Sequence, residues 1–393
     1  MPPIPRLRIY DGPALLSNGF RPFFLLGSIY AGGAILLWLA VYLGGAGVPS
    51  AFAPLDWHMH EMLYGYAPAA IAGFLFTAVP NWTGRLPLQG RPLAALAALW
   101  AAGRVAVFFS GVTGWAFAAL VDCLFPLTLG AVVAREIVAG RNWRNLVAVA
   151  LVTILFIGDV AFHLESHLRG AAVYGARAGL AATIMLIIVV GGRVVPSFTR
   201  NWLARENPGR LPVPAGRFDA ASTGFCALAL AAWTLAPHAF VTGLLAGLAG
   251  AAQAFRLSRW AGDRTGADAL VLILHVAYAF IPMGFLLTAA AAFDLVSSSA
   301  GTHAFGAGAI GVMTLAIMSR ASLGHTGRAL FASPSLRLVY VLAVVAALAR
   351  VAAALLPEWG FTLLLAAGFA WSAAFLGFAI LYWPILTKPR ASR

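Results

Sequence analysis

Twelve apolar runs, most of them close to the ~20 residues that cross a hydrocarbon core as a helix, leave little chain for anything else. They cover Phe20–Leu43, Trp57–Val79, Pro92–Ser110, Val112–Ala134, Trp143–Leu164, Ala171–Gly191, Asp219–Ala236, Ala239–Phe255, Ala267–Phe293, Thr302–Met318, Leu336–Leu355 and Trp359–Tyr382. In lipid each backbone N–H and C=O must be satisfied inside the segment, so such runs read as helices and the fold class as all-α. With 61% hydrophobic and 10% charged residues, a soluble surface is excluded. The expected architecture is a single integral-membrane domain over residues 1–393, a polytopic bundle of about twelve transmembrane helices. The seventh and eighth runs are short and meet around Pro237, which makes theirs the weakest boundary.

The net charge of +13 is dispersed rather than gathered in one patch, which argues against a nucleic-acid partner. Every cationic side chain except Lys388 is an arginine, and these fall between the runs in alternation. One set of connections carries Arg6 and Arg8; Arg85 and Arg91; Arg135, Arg141 and Arg144; Arg200, Arg205, Arg210 and Arg217; Arg256, Arg259 and Arg264; Arg320, Arg328 and Arg337; and Lys388, Arg390 and Arg393. The other set carries almost none, with Arg169 the exception. The positive-inside rule then places both termini in the cytoplasm of a multi-pass protein, with acidic membrane lipid as the arginines' partner. The first run lacks a small-residue cleavage site and reads as a retained helix. Cys123 and Cys226 each sit inside an apolar run and read as small core residues.

The ends of the second, sixth and tenth runs share a pattern: Val79-Pro80-Asn81-Trp82-Thr83-Gly84-Arg85, Val195-Pro196-Ser197-Phe198-Thr199-Arg200 and Ser319-Arg320-Ala321-Ser322 through Gly327-Arg328. They lie about four helices apart, which suggests three units of four with candidate boundaries 1–135, 136–260 and 261–393. Arg- and Gly-rich turns also resemble one another without any repeat.

Ionisable side chains at membrane depth are costly, so each is a candidate functional group, and a set of imidazoles points to a bound metal or haem. His58 and His60 open the second run. Two residues apart on a helix they point roughly 200° from each other, so one regular helix cannot aim both at one ion. Asp159 and His163 lie four apart and share a face, as a ligand and its orienting carboxylate would; His167 follows nearer the rim. His275 lies roughly 12 Å inside the ninth run, on one face with Tyr278, and Pro282 weakens the backbone bonding beyond it. His303 opens the tenth run. The metal candidates are therefore His58, His60, His163, His275 and His303. Cofactor-binding candidates are His60, His275, His303 and Tyr278, with Arg104 and Arg177 as ion-pair or haem-propionate partners. Asp122 with Arg104 reads first as a structural pair. Glu61 and Asp159 are the candidate acids for moving protons.

The segment Trp57-His58-Met59-His60-Glu61-Met62-Leu63-Tyr64-Gly65-Tyr66, followed by Ile71-Ala72-Gly73-Phe74 and Val79-Pro80-Asn81-Trp82, resembles the NnrS family. So do Gly192-Arg193-Val194-Val195-Pro196-Ser197, His275-Val276-Ala277-Tyr278 and Gly324-His325-Thr326-Gly327-Arg328, and the similarity runs through nearly the whole chain. The resemblance implies a bacterial inner-membrane protein that carries haem b and copper, takes nitric oxide as ligand or substrate, and serves nitric oxide metabolism or nitrosative-stress protection. It also implies a helix bundle like the haem-copper oxidase catalytic subunit and a nitric oxide reductase-like activity, with an electron donor the sequence does not identify. Those oxidases use an adjacent His-His pair for copper, and this chain has none.

Two other functions fit twelve helices. A secondary transporter would suit the long Arg-rich connection after the sixth run, although a three-by-four pattern competes with two inverted halves. A membrane haem or metal chaperone would hold its cargo weakly and exchangeably.

Overall fold

The computed structural model describes residues 10–390 and contains helices and no strands among them. Arg6, Arg8 and Arg393, which entered the charge alternation, lie outside the described residues. Among the described residues, twelve helices are long and apolar enough to cross a membrane. They are α1 Phe20–Tyr42, α2 Pro54–Thr83, α3 Arg91–Phe108, α4 Trp115–Ala139, α5 Trp143–Arg169, α6 Tyr174–Glu206, α7 Arg217–Leu235, α8 Phe240–Ser258, α9 Ala269–Ala292, α10 Ser298–His325, α11 Pro334–Leu355 and α12 Pro357–Thr387.

The expected spans are all present, and the differences lie at their ends. The sixth was expected to stop at Gly191 and the tenth at Met318; α6 and α10 continue to Glu206 and His325. Loss of hydropathy marks where a span leaves hydrocarbon, whereas a helix ends where its backbone is capped. The fourth begins at Trp115 rather than Val112, because Ser110–Thr113 forms a separate turn closed by Gly114 at φ 92°. Gly84 and Gly170 close α2 and α5 in the left-handed region (φ 71° and 76°), where glycine carries no Cβ penalty. Asp268 starts α9 by accepting the Leu270 N–H at 2.8 Å. α9 runs unbroken through Pro282.

The described residues group into two compact units: residues 10–182, 321–328 and 379–390 in one, residues 183–320 and 329–378 in the other. In the first, α2 packs on α1 and α4, and α4 on α3 and α5. In the second, α9 packs between α8 and α10, with α7 on α8 and α11 on α10. Three helices contain a widened π-helical stretch: α2 at Glu61–Tyr66, α6 at Ile187–Gly191 and α10 at Ala304–Val312. Such turns are rare and concentrate at functional sites.

Candidate metal centre

The α2 wide turn begins one residue after His60. His60 is fully buried and points into the interior of the first unit. His58 takes the other direction and stacks on Trp38, with ring centroids 4.7 Å apart and planes 14° apart. The helix period thus separates the two histidines, and only His60 enters the cluster.

His60 meets three acids. Its Nδ1 lies 3.0 Å from Glu61 Oε1 and donates to it, which leaves Nε2 facing Asp122 Oδ2 on α4 and Asp159 Oδ1 on α5, each at 3.1 Å. His163, one turn beyond Asp159, sets its Nε2 at 3.2 Å from Asp122 Oδ2 and 3.8 Å from Asp159 Oδ1. His60, Asp122, Asp159 and His163 therefore each offer one donor atom, all within 4.8 Å of one another, and all four residues are buried. A tetrahedral ion with bonds of about 2.1 Å needs donors spaced by about 3.4 Å. Four of the six donor separations, 3.1, 3.1, 3.2 and 3.8 Å, bracket that value, and the other two lie within 4.8 Å.

Behind the donors lies a second set of charges. Arg104 Nη1 donates to Glu61 Oε2 at 2.6 Å, its Nη2 donates to Asp122 Oδ1, and the Tyr30 hydroxyl donates to Glu61 Oε2. Space for this is left by two glycines. A Cβ on Gly65 would stand 2.7 Å from Glu61 Oε2, and one on Gly103 would stand 2.7 Å from Asp122 Oδ1. Water is excluded by aromatic rings: Phe52 packs 4.9 Å from His60 and 5.0 Å from His163, Phe162 lies 5.1 Å from His60, and Tyr64 lies 5.5 Å from it. Tyr64 is fixed by donating to Gly175 O at 2.6 Å.

The charges decide what the cluster can hold. In the protonation state that metal ligation requires, with both imidazoles neutral and the acids ionised, Glu61, Asp122 and Asp159 carry three negative charges against the one positive charge of Arg104, and all four are at most 6% exposed. A buried net charge of −2 is strongly disfavoured, and one divalent cation neutralises it. Asp159 Oδ2, the oxygen that does not meet His60, is buried with no hydrogen-bond partner, which leaves a free acceptor on the same carboxylate beside the donor set. A two-histidine, two-carboxylate set suits first-row transition metals. A haem finds no seat at these two histidines. Both His60 nitrogens face carboxylates, and the rings are packed against aromatic side chains or against one another.

Of the residues singled out in the sequence, His60, Glu61, Arg104, Asp159 and His163 come together here. Asp122 was read as Arg104's structural partner; that pair exists, and the second Asp122 oxygen also faces both histidines. Tyr30 carried no sequence signal beyond an apolar neighbourhood. His275, Tyr278 and His303 belong to the second unit. His275 Nε2 lies 2.8 Å from Thr199 Oγ1, and its Nδ1 packs against Gly262. Tyr278 donates to Gln253 Oε1 at 2.7 Å and accepts from Arg256 at 3.2 Å; Arg256 also pairs with Asp219. His303 donates from Nδ1 to Ser299 O at 2.8 Å. Arg177 lies over the Tyr174 ring at 5.8 Å.

Twelve apolar helices among the described residues, with a buried histidine–carboxylate cluster inside the first unit, define a multi-pass membrane protein with a candidate ion site. The chain belongs to the NnrS family: the family model described as "NnrS protein" matches residues 14–390. A comparison with curated proteins returns no match.

Proposed function

We propose that this protein binds one first-row transition-metal ion at His60, Asp122, Asp159 and His163, and that the ion is where it meets nitric oxide. The observation that carries the reading is the spacing of four buried donor atoms from three different helices. Of the two cofactors that the family resemblance implies, this donor set favours copper over haem. A redox-active ion held there would supply a gas-binding and electron-exchanging centre. The protein's own part is to orient and to seal. Glu61 fixes the His60 tautomer by accepting from Nδ1, Arg104 holds Glu61 and Asp122 in place, and Phe52 and Phe162 keep bulk water from the donors. The family resemblance implies a bacterial inner-membrane location, and the alternating arginines support an orientation with both termini cytoplasmic.

The test is metal counting on protein purified from copper-, iron- and zinc-replete cells, with spectra recorded before and after nitric oxide. One ion per chain in wild type, lost in His163→Ala and Asp159→Asn, and an ion-dependent spectral change on adding the gas are expected. Metal-free wild type would end the metal reading. A bound ion whose spectrum ignores nitric oxide would end the nitric oxide reading alone.

A further inference from the structure

The second unit contains a cavity of about 490 Å³, lined by Trp202, Arg205 and Glu206 at the end of α6, Asp268 at the start of α9, Arg320 near the end of α10 and Leu330 just beyond it. These are the ends that carry the Arg-rich connections. The unexplained group is Arg320. It is 8% exposed, its Nη1 has no hydrogen-bond partner among the described residues, and its Cζ lies over the Phe198 ring at 4.4 Å. A buried guanidinium N–H with nothing to donate to loses its full hydration, and because Arg320 also lines the cavity its charge is available to an anionic group that enters there.

The other lining groups say what kind. Arg205 is tethered by its Nε to Asn201 O at 3.2 Å, which sets a second guanidinium at the rim. A guanidinium fork matches the oxygens of a phosphate. Asp268 and Glu206 add two carboxylates, so the charged lining sums to zero and an anion alone would leave the acids uncompensated. Trp202 and Leu330 supply apolar wall, and tryptophan favours the depth where headgroups meet hydrocarbon. The volume exceeds what a bare ion fills.

We propose that this cavity binds a zwitterionic phosphate ester, the ethanolamine-type headgroup of a membrane phospholipid, with its phosphate on Arg320 and Arg205 and its ammonium on Asp268 and Glu206. The site is independent of the metal centre and of any reading of it.

The experiment is native mass spectrometry of the full-length protein released from nanodiscs containing equal parts phosphatidylethanolamine and phosphatidylglycerol. Wild type retains one phosphatidylethanolamine per chain, and Arg320→Gln retains at least tenfold less while eluting as the same monodisperse species. Should Arg320→Gln fail to fold, Arg205→Gln and Glu206→Gln decide: the first lowers total lipid retention, the second shifts preference toward phosphatidylglycerol. Thermal stabilisation by soluble glycerophosphoethanolamine without lipid retention supports the same chemistry from a soluble source. Equal retention of the two lipids in wild type, or retention unchanged in both arginine variants, overturns the proposal.

Discussion

Replacing Glu61 by glutamine changes one atom and tests how the candidate ion site is held. Glu61 accepts three hydrogen bonds: His60 Nδ1 on Oε1, and Tyr30 and Arg104 on Oε2. Glutamine has one acceptor oxygen and one donor amide. If its oxygen turns to Arg104 and Tyr30, its amide meets His60 Nδ1. The ring proton then moves to Nε2, the atom that faces Asp122 and Asp159. If the oxygen turns to His60, the amide opposes a charged arginine and a hydroxyl, leaving donors buried without acceptors at about 1–3 kcal/mol each. Either arrangement penalises the metal-bound form. Loss of an orienting partner of this type weakens metal affinity about 10–100-fold, or about 1.4–2.7 kcal/mol. The assay is competition with a chelator of known affinity on purified protein, with stoichiometry counted in parallel. Glu61→Gln is expected to keep one ion per chain at saturation and to bind it 10–100-fold more weakly, whereas His163→Ala loses it. Affinity within about threefold of wild type, alongside a metal-free His163→Ala, would refute the argument that Glu61 sets the imidazole.

Further outcomes follow from the same geometry. Gly103→Ala drives a Cβ to 2.7 Å from Asp122 Oδ1; overpacking of about 1–3 kcal/mol and lower metal occupancy are expected, read by thermal melting and metal counting. His58→Ala loses stacking on Trp38 worth about 0.5–1.5 kcal/mol and keeps full occupancy; metal loss there would place His58 among the ligands. Tyr278→Phe strands buried Gln253 Oε1 at about 1–3 kcal/mol, lowering the melting temperature without changing occupancy, and a change in occupancy would tie the Tyr278 network to the centre.

The spans were legible because lipid leaves a long apolar segment one backbone solution, and even the short pair around Pro237 resolved into α7 and α8. The helix ends were not: Gly191 and Gly192 look like punctuation, yet they sit within α6 at a wide turn and the helix continues past Pro196. At the centre, His60, Glu61, Asp159 and His163 stood out as charges where charge is expensive. Asp122 stood out equally, but a sequence cannot say that a carboxylate uses one oxygen for an arginine and the other for two histidines. That knowledge needs the crossing of α2, α4 and α5. The choice between His58 and His60 was narrowed by helical period and made only by packing.

The wide turn after His60 has a consequence for how this helix can change. Each inserted residue shifts the phase of a helix by about 100°, so the stretch before Glu61 and the stretch after Tyr66 are aimed independently. The first turns His60 to the carboxylates; the second turns Ala69, Ala72 and Gly73 into the buried side of α2. Substitutions that repack the lower helix therefore need not rotate the imidazole. Deleting any one residue between Glu61 and Tyr66 would act as a gear change, swinging one stretch against the other while leaving composition almost untouched.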